Sequence, residues 1–148
     1  MKTYTKKMGD KLNALLEKTY DAEKGYKKAA ENVSNSGLKL YFKQKSEERS
    51  NFGRELKSEL IAFGQEIDKG GSLKGDTHRA WMDIKSLFSS NDEEAMLKEA
   101  IRGEKAAIAE YNDVISDEMP LSTKNILESQ RNTIESGLST ISGLKDLA

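Results

Sequence analysis

The chain has 148 residues, enough for one domain that buries a sizeable core without covalent staples. Charged residues make up 33% of it at a formal net charge of -1, a balance that suits long solvated helices and offers no global attraction to nucleic acid or to an anionic membrane. With no cysteine and one histidine, disulfides, thiolate zinc sites and a cysteine nucleophile are excluded, and little is left for a Ser-His-Asp triad.

The opening MKTYTKKMGDKLNALL carries lysines but no apolar run of seven or more, so it does not read as a secretory signal. No later run approaches the roughly 18 apolar residues of a membrane span. A cytoplasmic location is the expectation that follows. The lysines at positions 2, 6, 7 and 11 read as a solvated terminus, not as a tail for nucleic-acid phosphates.

Helix one is expected over 9–34, where Leu12, Leu16, Thr19, Glu23, Tyr26, Ala30 and Val33 recur at steps of three and four. Asn35, Ser36 and Gly37 break the pattern, and so short a connection makes the next helix an antiparallel neighbour. Helix two is expected over 38–66 on Leu38, Phe42, Phe52, Leu56, Leu60 and Phe63, with Lys45 and the pair Glu48-Arg49 at the centre of its stripe. A glycine-rich stretch, DKGGSLKGD, and a short amphipathic helix over 77–88 follow. Extended residues and a short helix of that number reach far enough to traverse a helix of about 28 residues, roughly 42 Å long. Helices two and three can therefore run parallel. Helix three is expected over 92–117 on Leu97, Ile101, Ile108, Tyr111 and Ile115, and helix four over 120–146 on Leu127, Ile134, Leu138, Ile141 and Leu144, with Pro120 at its start. Four long helices with one long crossover between the second and third form the ferritin-like arrangement. Its rival is an up-down bundle with an ornamental loop.

The stripes are interrupted by polar residues near their middles. Glu104 stands where helix three needs a hydrocarbon, Glu23 does so in helix one, Glu48-Arg49 in helix two, and Gln130-Arg131 in helix four. Sliding the second half of the chain onto the first by 81 or 82 residues superposes Glu23 on Glu104, Glu48-Arg49 on Gln130-Arg131, and Phe52 on Ile134. Two helical hairpins related by a pseudo-twofold axis are expected from this, with the polar interruptions converging on one level of the core. An ionised carboxylate buried without partners costs several kcal/mol, so each must be paired, protonated or bound to a metal.

Ferritin-like di-metal sites use a lone carboxylate from each of two helices and Glu-x-x-His from each of the other two. Here Glu23 and Glu104 hold the places of the lone carboxylates, but helix two offers Glu48-x-x-Asn51 and helix four offers Gln130-x-x-Thr133. The lone histidine, His78, falls in the crossover, so the two-histidine site cannot be assembled within one chain. A carboxylate-rich iron or manganese site from Glu23, Glu48 and Glu104 remains chemically feasible. The reading we favour replaces the metal by guanidinium: Arg49 and Arg131 satisfy the acids, and Tyr26 and Tyr111 donate hydrogen bonds to them. His78, beside Arg79 and near Trp81, reads as a capping or packing residue, and GGSLKG lacks the phosphate-loop pattern and follows a helix.

The crossover segment GSLKGDTHRAWMDIKS, preceded by LNALLEKTYDAEKGYKKAAE and followed by LKEAIRGEKAAIAEY, resembles a bacterial family of ferritin-like four-helix-bundle proteins of unknown function. That family shares a Gly-Ser-x-x-Gly-x-x-His-Arg-x-Trp-Met-Asp-x-Lys segment. The resemblance runs from about Leu12 to Leu144; it implies the ferritin-like fold and a bacterial, stress-associated context, and it implies no activity. The expectation is a single all-α domain, 1–148, acting as a non-enzymatic binding or scaffolding protein without a cofactor. Its polar core would comprise Glu23, Glu48, Arg49, Glu104, Gln130, Arg131, Tyr26 and Tyr111. The expected partner is another protein or a second copy of the chain, not a membrane or nucleic acid. The alternative is a metal-binding oxidoreductase or storage protein using the same acids.

Overall fold

The computed structural model describes residues 5–67 and 93–147. The short helix expected over 77–88, with His78, Trp81 and the crossover motif, lies outside the described residues. Among the described residues there are four helices and no strand: α1 (Lys6–Asn32), α2 (Ser36–Ala62), α3 (Glu93–Ile115) and α4 (Leu121–Leu147). No helix among them is long and apolar enough to cross a membrane.

Local chemistry sets the ends. The Thr5 hydroxyl accepts from the Met8 amide at 3.0 Å, which starts α1 three residues before the apolar pattern suggests. Asn35 caps α2 in the same way through the Leu38 amide at 3.0 Å. The carboxylate of Glu93, in the first turn of α3, accepts from the amides of Ser34 and Asn35, each at 3.1 Å. One side chain thus ties the α1–α2 connection to the start of α3. At the other end of α2, Gly64 adopts φ +74, its amide donates to Ile61, and the Gln65 amide donates to Leu60, both at 2.9 Å. This is the left-handed glycine termination of a helix. It ends α2 at Ala62, four residues short of the expected boundary, because Gly64 turns the backbone directly after Phe63, the last apolar residue of the stripe.

The direction of each helix follows from which residues meet. Lys11 of α1 pairs with Asp117, just beyond α3, at 2.8 Å, and Lys18 pairs with Glu110 of α3 at 2.7 Å, so α1 and α3 are antiparallel. The Tyr41 hydroxyl reaches the Gly137 carbonyl, Gln130 reaches Phe52, and Ser122 reaches Glu59, so α2 and α4 are antiparallel. Since α1 and α2 form one hairpin and α3 and α4 the other, α2 and α3 run parallel. That orientation is incompatible with a simple up-down bundle.

Two apolar clusters fill the interior. One gathers Leu12, Leu16, Phe52, Leu56, Tyr111, Leu127 and Ile134; the other gathers Tyr26, Val33, Phe42, Met96, Leu97 and Ile141. The charged residues at the centre of the α2 stripe lie between them.

Replacing Asn35 by Ala removes the cap of α2 and is expected to lower stability by about 1 kcal/mol. Urea unfolding followed by circular dichroism measures it.

Candidate functional site: a charged layer in the bundle core

On α2, Lys45 and Arg49 are four residues apart and Glu48 stands between them, so helical geometry projects all three toward the axis. Lys45 is 5% exposed and Arg49 3%. From α3, Glu104 at 2% exposure enters the same level. The Arg49 guanidinium donates to Glu48 Oε2 at 2.5 Å through one nitrogen and to Glu104 Oε1 through the other. Lys45 Nζ stands 2.8 Å from Glu48 Oε2 and 3.5 Å from Glu104 Oε2. Two cations and two carboxylates thus alternate around a small ring, and its net charge is zero.

The surroundings are built to hold it. The Arg49 guanidinium carbon lies 5.7 Å from the ring centres of both Tyr26 and Phe52, one ring from each apolar cluster, in cation-π geometry. Burial by itself works against the charged guanidinium, but Glu104, Tyr26 and Glu48 more than offset it, and the net effect raises its pKa above the ordinary arginine value. Opposite Lys45, a Cβ added at Gly137 would come within 2.4 Å of Nζ. Glycine on α4 is what makes room for the ammonium group.

The candidate residues fall into three groups. Glu48, Arg49 and Glu104 meet in the layer, with Tyr26 against Arg49. Gln130 is 1% exposed but belongs to the level of the first cluster, where it accepts from the Tyr111 hydroxyl at 2.6 Å and donates to Glu55 at 3.0 Å and to the Phe52 carbonyl at 3.3 Å. Glu23 and Arg131 differ from the expectation. Glu23 is half-buried, and its backbone carbonyl accepts from Ser46 at 3.0 Å. The Arg131 guanidinium donates to Asn112 at 2.9 Å and lies 3.8 Å from Glu135 on the rim of the bundle. Burial explains why. Between α1 and α3 the buried pairs Leu12/Leu97, Leu15/Ala100, Thr19/Glu104, Tyr26/Tyr111 and Ala29/Val114 are each 85 residues apart, one turn beyond the 81-residue offset. Thr19, satisfied by the Leu15 carbonyl at 2.8 Å, therefore occupies the α1 counterpart of Glu104.

Lys45 is the member that sequence reasoning left out of the site, although it lies on the stripe. The available signal was its four-residue spacing to Arg49 combined with a glycine, Gly137, on another helix; the facing of those two positions is not visible in the chain. Among the described residues no three His, Cys, Asp or Glu side chains converge in a way that could hold a metal ion.

Residues 7–117 match a family described as a domain of unknown function, DUF2383. The chain belongs to the DUF2383 family. None of the curated proteins compared with it matches. The DUF2383 match takes in Lys45, Glu48, Arg49 and Glu104 with Tyr26 and Tyr111, while Gln130 and Gly137 lie on α4, beyond it.

Removing one member of the layer strands its partners. Glu104→Ala is expected to cost about 3 to 5 kcal/mol, whereas Arg49→Met with Glu104→Leu, which leaves Lys45 and Glu48 paired, is expected to be near neutral or stabilising; chemical denaturation of the two single variants and the double variant completes the cycle. The tyrosines give a second test. Burial, then the Glu104 charge, pushes the hydroxyl pKa of Tyr26 and of Tyr41 well up; for Tyr111 burial is the leading cause, partly opposed by Arg49. A pKa raised in the folded state means that the unfolded chain loses these protons first, so stability is full below about pH 10 and falls above it. Tyrosinate absorbance is expected to rise in two stages, with these three of the five tyrosines appearing only as the far-ultraviolet circular dichroism signal collapses.

Proposed function

We propose that this DUF2383 protein is a non-enzymatic, ferritin-like bundle that serves as a binding or scaffolding module, with a carboxylate-arginine core in place of a metal centre. The observation that carries this reading is the position of Arg49. Its guanidinium sits between Glu48 and Glu104, the two acids most suited to ligate a cation, and the Lys45 ammonium adds a second positive charge beside the same two carboxylates. A divalent ion entering there would meet two fixed cations and would have to displace charge-assisted hydrogen bonds. The parallel course of α2 and α3 supports the ferritin-like affiliation, because a single long crossover between the second and third helices produces it.

In this reading the charged layer sets register. A slip by one turn, about 5.4 Å, would bring hydrocarbon against the carboxylates and leave the cations unpaired. The partner is another protein or a second copy of the chain, and three large apolar side chains on α2 and α4, Leu40, Ile61 and Leu121, stand 56%, 57% and 71% exposed. A bacterial, cytoplasmic and stress-associated setting accords with the resemblance carried by the crossover segment.

Elemental analysis of untagged protein from iron- and manganese-supplemented medium tests the core. The expected result is trace metal only, in wild type and in Glu104→Ala alike. Near-stoichiometric iron or manganese in wild type, lost in Glu104→Ala and Glu48→Ala, overturns the proposal in favour of a carboxylate-ligated oxidoreductase or storage site.

A further inference from the structure

Both ends of the segment 68–92 are fastened to α1. Before it, Asn13 of α1 donates to the Glu66 carbonyl at 3.0 Å, and the Gln65 side chain stands against Gly9. After it, Glu93 accepts from the amides of Ser34 and Asn35, just past the last turn of α1. Since α2 and α3 stand across the core from each other, a connection between them passes outside either α1 or α4. These fastenings put α1 on the route.

The surface of α1 supplies a second, independent observation. Gly9, Asn13, Glu17, Asp21 and Gly25 are spaced by four, and each such step turns about 40° around the helix. The row therefore starts beside α2, crosses the face opposite the core-facing Leu12, Thr19 and Tyr26, and ends beside α3. Outward residues next to it, Asp10, Ala14 and Lys24, are exposed. Within the row, Gly9, Asn13, Asp21 and Gly25 are buried, Asp21 being 8% exposed, and Glu17 is half-buried. A carboxylate buried to that degree calls for a cation, and a glycine inside a helix is a site where another part of the chain can approach closely.

Height along α1 sets the register. The rise from Asn13 to Ser34 is about 32 Å, and the chain from Ile67 to Glu93 spans it with length to spare, reaching roughly 85 Å when extended. Spread evenly over that rise, residues 77–79 fall level with Asp21 and residues 81–82 with Gly25. Charge agrees with this register. The wall between α1 and α3 carries Asp21, Glu99 and Glu110 against Lys18, whereas the stretch 77–88 carries Arg79 and Lys85 against Asp83. We propose that the row from Glu17 to Gly25 is the docking surface for residues 68–92 of the same chain, with Arg79 paired to Asp21 and the Trp81 ring laid over Gly25. This goes beyond the reading of the protein as a binding module and does not depend on whether a metal enters the core.

The chain has no cysteine and a single tryptophan, so both contacts can be read on the full chain. In Asp21→Cys with Arg79→Cys, a short bifunctional maleimide is expected to bridge the two thiols, leaving one linker per chain by intact mass. Asn132 is exposed at a similar height on α4, and in Asn132→Cys with Arg79→Cys each thiol is expected to take its own linker. The reverse result overturns the proposal, as does a bridge formed only between chains, which assigns the row to a second copy. Trp81 emission is expected to be blue-shifted from that of free tryptophan and to move back to the red in Gly25→Gln, with the far-ultraviolet circular dichroism signal unchanged. Emission like that of free tryptophan in wild type, or no shift in a folded Gly25→Gln variant, also overturns it. Should Gly25→Gln fail to fold, the two cysteine pairs decide. Stoichiometric metal in the core would end the carboxylate-arginine reading and leave each of these outcomes unchanged.

Discussion

The contact between Arg49 and Glu104 constrains everything around it. It joins α2 to α3, the two helices that run parallel and are not hairpin partners, across the middle of the core. Taking both charges out of water costs several kcal/mol, and the structure offsets that cost locally. Glu48 takes the other arm of the guanidinium, Lys45 balances the second carboxylate, and two aromatic rings lie within 5.7 Å of the cation. Because each member is satisfied by the others, the layer behaves as one unit. It separates the two apolar clusters.

This arrangement also dictates which residues must be small. Gly137 on α4 gives the Lys45 ammonium its space, and its carbonyl receives the Tyr41 hydroxyl at 3.2 Å. The alanines and glycines facing each other on α1 and α3 leave the cavity that ends at Glu104. The charged layer is thus closed by a lysine on the α4 side, and Arg49 and Glu104 are among the residues that line the cavity between α1 and α3. The Arg49 guanidinium and the buried hydroxyls of Tyr26 and Tyr111 are all shifted to higher pKa.

The match to the DUF2383 family ends at residue 117, before α4 begins at Leu121. The four charged residues of the layer therefore lie within the matched part, on α2 and α3. What α4 contributes is apolar packing from Leu127, Ile134 and Ile141, the Gln130 network with Tyr111 and Glu55, and the space at Gly137. The fourth helix completes the enclosure of the layer and adds no charge to its ring.

The amino-acid sequence by itself determined the class of fold: apolar residues at steps of three and four, short breakers at Asn35 and Pro120, and a long central connection define two hairpins with room for a crossover. It also marked Glu104, Glu48 and Arg49 as out of place among hydrocarbons, because periodicity is a property of one helix and is legible within it. Rotation and height of one helix against another are not. The one-turn difference between the 81-residue sequence offset and the 85-residue spacing of the buried pairs makes Thr19, not Glu23, the α1 counterpart of Glu104, and that difference shows only in which residues are buried. The same limit hid the outward turn of Arg131, whose amide partner Asn112 is on α3, and the facing of Gly137 and Lys45. Only the tertiary structure decided which acids and bases meet, since that depends on packing between helices whose side chains are distant in the chain.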